Sequence, residues 1–177
     1  GELIAVIGPN GAGKSSMFRA IVGLVAHTGT VGLNGEHCHH QRDRMCAAYI
    51  PQRNDLDMAF PITVGELVLS GRRRFVPFGR RPARTDRGVA ASCMDRVGVA
   101  DLADRPIGTL SGGQAQRAFL ARALAQEAHV LLLDEALSGV DQPRTEQLLD
   151  VFGALQADGV TMLVATHDLA LARRRFD

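Results

Sequence analysis

The chain is nearly devoid of lysine: of its twenty lysines and arginines, one is lysine, at position 14. It has no tryptophan and one tyrosine, and an apolar content of 46% with 5% aromatic describes an Ala/Leu/Val-rich α/β protein rather than a disordered chain. No run of 18 apolar residues occurs, which excludes a membrane-spanning helix, and Glu2 stands where a signal peptide would carry positive charge. Three cysteines, Cys38, Cys46 and Cys93, cannot all be bridged and form no metal-type pair, so a reduced, cytosolic chain is expected. A formal charge of +1 supplies no dedicated nucleic-acid surface, and no nucleic-acid partner is expected. At 177 residues the chain is one domain, or one domain with a subdomain.

The solitary lysine lies in Gly8-Pro9-Asn10-Gly11-Ala12-Gly13-Lys14-Ser15, which fits G-x-x-x-x-G-K-[ST] at each fixed position. The apolar run Leu3–Ile7 enters this stretch and a helical pattern from Lys14 to Val22 leaves it. Glycines let the backbone curl so that successive N–H groups point inward at a phosphate, and the helix N-terminus adds its dipole. Lys14 reaches the outer phosphates, and the Ser15 hydroxyl is placed to ligate Mg²⁺.

Further along, Thr30–Leu33 and the Asn34-Gly35 pair predict a hairpin. A short strand, Met45–Ile50, ends at Pro51. Between them, Glu36-His37-Cys38-His39-His40 resembles a metal site in composition only. Neighbours in an extended chain point to opposite faces, so it is read as a polar loop. Thr63 and Glu66 form a capping box that opens a helix to about Ser70, and Thr85 is expected to cap a second helix through Val97. Six arginines from Arg72 to Arg84 form a basic patch, read as a solvated loop; contact with anionic lipid headgroups or an acidic partner surface is the alternative. The block 61–106 thus reads as a helical insertion.

Leu110-Ser111-Gly112-Gly113-Gln114 opens another helix through a second capping box, with bare N–H groups that make a second anion site. Val130–Leu133 is a wholly apolar run, expected of a parallel strand covered on both faces. It delivers Asp134 and Glu135 to the crevice where α/β sheets bind ligands, Asp134 as Mg²⁺ partner and Glu135 as base for an attacking water. Asp141 and Pro143 start a helix ending at Asp158-Gly159. A last strand, Val160–Ala165, then brings His167 to the same edge.

This ordered set resembles the ATP-binding subunit of an ABC transporter over essentially the whole chain. Gly8–Ser15 match the Walker A motif, Gln52 the Q-loop and Leu110–Gln114 the signature. Val130–Glu135 match the Walker B strand, Ser138–Asp141 the D-loop, and His167 the switch histidine. Tyr49–Arg53, Phe60–Val64 and Gly139-Val140-Asp141 are most similar to the manganese, zinc and iron importers, with importers of siderophores and vitamin B12 next. The resemblance implies a P-loop ATPase core with a mainly parallel sheet at 1–60 and 107–177. A small antiparallel part at about 28–50 and a helical subdomain at 61–106 complete it. It implies ATP and Mg²⁺, with Glu135, His167 and Gln52 in catalysis, and Ser15, Gln52 and Asp134 at the metal. Asn10, Gly11, Gly13, Lys14, Ser15, Ser16, Ser111, Gly112, Gly113, Gln114 and Asp141 are implied at the nucleotide.

It further implies a head-to-tail dimer of two such subunits, permease partners in the membrane, an extracytoplasmic substrate-binding protein, and a place on the cytoplasmic face. Ala136 stands where the family usually has proline. The family's adenine-stacking aromatic is expected upstream of Gly1 and further elements beyond Asp177, so the chain reads as a piece of a longer subunit. Soluble relatives acting on DNA or ribosomes carry long coiled-coil insertions or paired cassettes, which this chain lacks. A P-loop kinase or GTPase would not need Leu110–Gln114.

Overall fold

The computed structural model describes residues 1–33, 36–37, 47–52, 58–128, 130–135 and 142–176. Cys38, His39, His40, Cys46, the Asn34-Gly35 pair and Ser138–Asp141 lie outside them, and with them the D-loop and all of the expected His/Cys loop but Glu36 and His37, which form a short strand.

Four strands form one parallel sheet in the order β1-β6-β5-β4, where β1 is Leu3–Ile7, β4 Ala47–Ile50, β5 Val130–Asp134 and β6 Thr161–Thr166. The apolar run of β5 follows from its place. Every residue of the strand is buried, and alternate side chains enter different cores. Val130 and Leu132 join Phe18, Ala47 and Ala165 on one face. Leu131 and Leu133 join the larger cluster on the other. With side chains alternating at period two, both faces of the strand must be apolar. Helix α1 (Lys14–Ile21) packs on β4 and β5, and α4 (Gly112–Leu124) packs on β4. Helices α5 (Gln142–Ala157) and α6 (Leu169–Arg175) pack on β1. A two-residue ladder, β2 (Gly32–Leu33) with β3 (Glu36–His37), is antiparallel and pairs Leu33 with Glu36.

The Ala47–Ile50 segment, expected in the antiparallel part, instead pairs parallel with β5, Ala47 opposite Val130 and Ile50 opposite Leu133. Its buried Ala47, Ala48 and Ile50 need an apolar neighbour, and the inner strand of the sheet offers one where a surface hairpin does not.

Helices α2 (Val64–Ser70), α3 (Arg84–Arg96) and α4 pack against one another. Helix α2 begins as its sequence dictates: Thr63 accepts from the Glu66 N–H, and the Glu66 carboxylate accepts from the Thr63 N–H at 2.9 Å. The start of α3 differs from expectation. Its N-cap is Ala83, and Thr85 lies inside the first turn. Asp86 performs the capping by accepting the Ala83 N–H at 2.9 Å, while its other oxygen faces the Arg72 guanidinium at 3.3 Å.

Arg72 also departs from the expected basic patch. It is 7% exposed, donates to the Ala125 carbonyl at 3.0 Å, pairs with Glu127 at 2.9 Å, and lies 3.8 Å from the Phe75 ring centroid. Helix α6 is an element the sequence reading did not foresee. The Asp168 carboxylate accepts the Leu171 N–H at 3.0 Å to start it, and Arg175 pairs with Glu146 of α5. Among the described residues no helix is long and apolar enough to cross a membrane.

Candidate functional site

Because the four strands run parallel, the segments that follow them emerge at one edge. β1 leads into the glycine loop, β4 into Gln52, β5 into Glu135 and β6 into His167. The loop's curl depends on Gly11 and Gly13, at φ 82° and 90°. A Cβ at either would touch nothing, so glycine is required there for its backbone and not for space. Gly13 is the N-cap of α1 and brings no side-chain bond, so the first N–H groups of the helix stay available to an anion.

Lys14 is 8% exposed, and its Nζ donates to the carbonyls of Gly8 at 2.7 Å and Pro9 at 3.0 Å. The ammonium thus holds its own loop in a ring around the cavity. A cleft of about 390 Å³ opens there, lined by Asn10 through Ser16 together with Gln52 and Glu135.

Across the cleft, the Gln52 side-chain amide donates to the Glu135 carboxylate at 2.9 Å. Glu135 sits at φ 48°, a left-handed conformation that costs a non-glycine residue about 1–2 kcal/mol. Strain of this kind is retained where a side chain must be aimed. Below it, Asp134 is 1% exposed and terminates β5. Its Oδ2 accepts from the Tyr49 hydroxyl at 2.9 Å, and that hydroxyl accepts from Arg19 Nε at 3.3 Å. Burial pushes the Tyr49 phenol above its usual pKa, so it remains a donor. Asp134 Oδ1 is buried with no hydrogen-bond partner.

A hydroxyl at Ser15, a carboxamide at Gln52 and this free carboxylate oxygen are hard oxygen donors of the kind Mg²⁺ takes. Asp134 is not itself a lining residue of the cleft but lies next to Glu135, which is, and its orphan oxygen is what a cation, directly or through its water, would satisfy.

The remaining expected residues lie elsewhere. Ser111 caps α4, accepting the Gln114 N–H at 3.3 Å, while the Gln114 side chain accepts the Ser111 N–H at 2.9 Å. With Gly113, Gln116, Arg117, Gln147 and Leu148 they line a second hollow, separate from the phosphate cleft, and Gly112 is the first residue of the helix. His167 is exposed at the end of β6, one residue after Thr166, which pairs with Ile7 beside the glycine loop. It is not among the lining residues of the cleft. Asp141 lies outside the described residues. The sequence reading missed Tyr49, Arg19 and Arg117, whose Nε is buried and unpartnered beside Gln114. Only Tyr49 carried a signal, as the sole tyrosine, three residues before Gln52.

Comparison with known proteins places this geometry among relatives. The family model described as "ABC transporter" matches residues 1–138. The manganese transport system ATP-binding protein MntB of Halalkalibacterium halodurans is 41% identical over 177 residues, 100% of this chain and 70% of that protein. The chelated iron transport system membrane protein YfeB of Yersinia pestis is 41% identical over 170 residues, 96% of this chain and 57% of that protein. The solved structure of CbiO1 from Clostridium perfringens, part of the ABC transporter complex CbiONQ, superimposes with a TM-score of 0.83. It is 26% identical and covers 99% of this chain and 71% of that one.

Proposed function

Because the chain belongs to the ABC transporter family, among its ATP-binding and ATP-hydrolysing subunits, we propose that it powers import of a transition metal, manganese, zinc or iron, or of a metal chelate. The observation that carries the catalytic reading is the Gln52–Glu135 hydrogen bond across the mouth of the phosphate loop. It joins the ends of two parallel strands over one cleft. The metal cargo is supported by the 41% identity to a manganese system and to a chelated iron system.

In this reading Lys14 exchanges the Gly8 and Pro9 carbonyls for the outer phosphates of ATP. Asn10, Gly11, Gly13, Ser15 and Ser16 present backbone N–H groups to the phosphates. Ser15, Gln52 and Asp134 would hold Mg²⁺, which would neutralise charge on the phosphate oxygens when bound. Glu135 orients and deprotonates the attacking water, and His167 approaches the γ-phosphate from the end of β6. Ser111, Gly112, Gly113 and Gln114 form an anion site apart from the cleft. They therefore serve the ATP of a second copy, and an isologous dimer pairs cleft with helix end twice. Asp141 contributes at that interface. ATP binds the closed pair better than the separated chains, and this differential affinity drives closure. Permease subunits in the membrane take up the motion, an extracytoplasmic binding protein delivers cargo, and the chain works at the cytoplasmic face.

Glu135→Gln tests this. ATP binding should persist, hydrolysis should fall by about 10²–10⁴-fold, and ATP should hold a dimer visible by light scattering. Manganese uptake should fall in cells whose native subunit is replaced by this variant. Unchanged turnover removes Glu135 from its role; lost turnover with unchanged manganese uptake removes manganese as cargo.

A further inference from the structure

Between Gly71 and Thr85 the chain has six arginines and no acidic residue. The structure sorts them. Arg72 turns inward and is held by Asp86, Glu127 and the Ala125 carbonyl, so it serves as an anchor. Val76 is the second anchor, 7% exposed. From these two the segment projects outward and reverses in a turn closed by the Arg80 N–H on the Pro77 carbonyl at 3.0 Å. Phe78 and Gly79 form the tip, and Gly79 at φ 77° is what a turn of this hand demands at its third position. Arg73 crosses the base of the turn to the Arg80 carbonyl, and Arg74 lies 4.4 Å from the Phe75 ring centroid.

Phe78 is 100% exposed. Arg73, Arg80 and Arg81 are exposed on either side of it in the chain, while Arg74, also exposed, turns to donate to the Glu127 carbonyl at 3.4 Å. The carboxylates of Asp86 and Glu127 are engaged by Arg72. A bare aromatic ring at the tip of a braced turn, flanked in the chain by exposed arginines, of which Arg73, Arg80 and Arg81 have no carboxylate in salt-bridge range among the described residues, has the chemistry of an interfacial contact. The ring suits the headgroup–acyl boundary, and each arginine suits a lipid phosphate. A docking site for a partner helix would need a groove, and this feature is a projection.

We propose that the turn Pro77–Arg80 is a membrane-surface contact, with Phe78 entering an anionic lipid headgroup layer and Arg73, Arg80 and Arg81 binding its phosphates. The contact makes no use of the nucleotide cleft.

The absence of tryptophan makes the test direct. The chain carrying Phe78→Trp is mixed with vesicles of phosphatidylcholine alone, and with vesicles that also contain phosphatidylglycerol. Its emission should shift to the blue only with the anionic vesicles, and the shift should fade as salt is raised. Phe60→Trp, at another exposed phenylalanine, should not shift. In sedimentation with the same vesicles, Arg80→Ser/Arg81→Ser should weaken binding about fivefold per arginine. Phe78→Ser should weaken it with an unchanged salt dependence, and both variants should keep wild-type ATP binding. No shift at Phe78→Trp at low salt overturns the proposal. So does binding to a detergent-solubilised permease through these residues without binding to vesicles, which would make the occupant a protein.

Discussion

Asp134 has one oxygen bonded and one bare, and the two halves of that carboxylate explain the layers around it. Oδ2 is fixed by Tyr49, itself fixed by Arg19, so the side chain cannot rotate to hide Oδ1 in a hydrogen bond of its own. A hydrogen bond to a charged group is worth about 1.5–3 kcal/mol. Tyr49→Phe should therefore lower unfolding free energy by that order in denaturant titrations. It should also narrow the gap between ATP affinities measured with Mg²⁺ and with EDTA, because the carboxylate loses its set orientation. If both quantities stay at wild-type values, the tyrosine hydroxyl does not position Asp134. Arg72 illustrates the opposite arrangement, a charge buried with all its partners. Its role in bracing rather than binding was invisible in a run of three arginines, because the carbonyl that identifies it lies 53 positions away.

Where α2 ends against α4, close approach decides the packing. A Cβ built at Gly71 would lie 2.4 Å from the Arg122 carbonyl oxygen and 3.2 Å from the Ala125 methyl, and backbone cannot yield there as a flexible side chain could. Gly71→Ala should cost about 1–3 kcal/mol, as overpacking usually does, read as a lower melting temperature with secondary structure retained. An unchanged melting temperature would mean that α2 and α4 slide freely. What the sequence revealed at this level follows the locality of each signal. The caps at Thr63 and Ser111 were legible because donor and acceptor lie three residues apart. The glycine loop and the all-apolar β5 were legible for the same reason. The start of α3 was misplaced because Asp86 caps it from inside, and a threonine nearby offered a more familiar pattern. The parallel pairing of β4 could not be read, since four residues do not name a partner on the far side of the helical block.

The largest cluster of buried side chains joins β1, β4, β5 and α5 to α2, α3 and α4 without a break. One continuous cluster crosses the expected boundary between a core at 1–60 with 107–177 and a helical part at 61–106, so the two parts are expected to unfold together. Two native reporters can check this, the Tyr49 ring on β4 and the buried Cys93 thiol on α3. In a Cys38→Ser/Cys46→Ser background, tyrosine fluorescence and thiol accessibility should report the same denaturation midpoint, as expected of one cooperative unit. Two separated midpoints would make the helical part an independent folding body. The sheet's parallel order also explains why residues spread from Asn10 to Glu135 meet at one cleft, since every strand of the sheet ends at the same edge.

The lysine at the centre of that edge has a further consequence. In most proteins, acylating or carbamylating reagents spread over many surface amines, and damage accumulates as a slow loss of charge. Here the single side-chain amine is Lys14, tucked against the carbonyls of Gly8 and Pro9. One adduct there leaves the surface, rich in arginine, chemically untouched while it removes the group that grips phosphate. Chemical ageing of this molecule through its side-chain amines is therefore all-or-none, and its record is written at one atom.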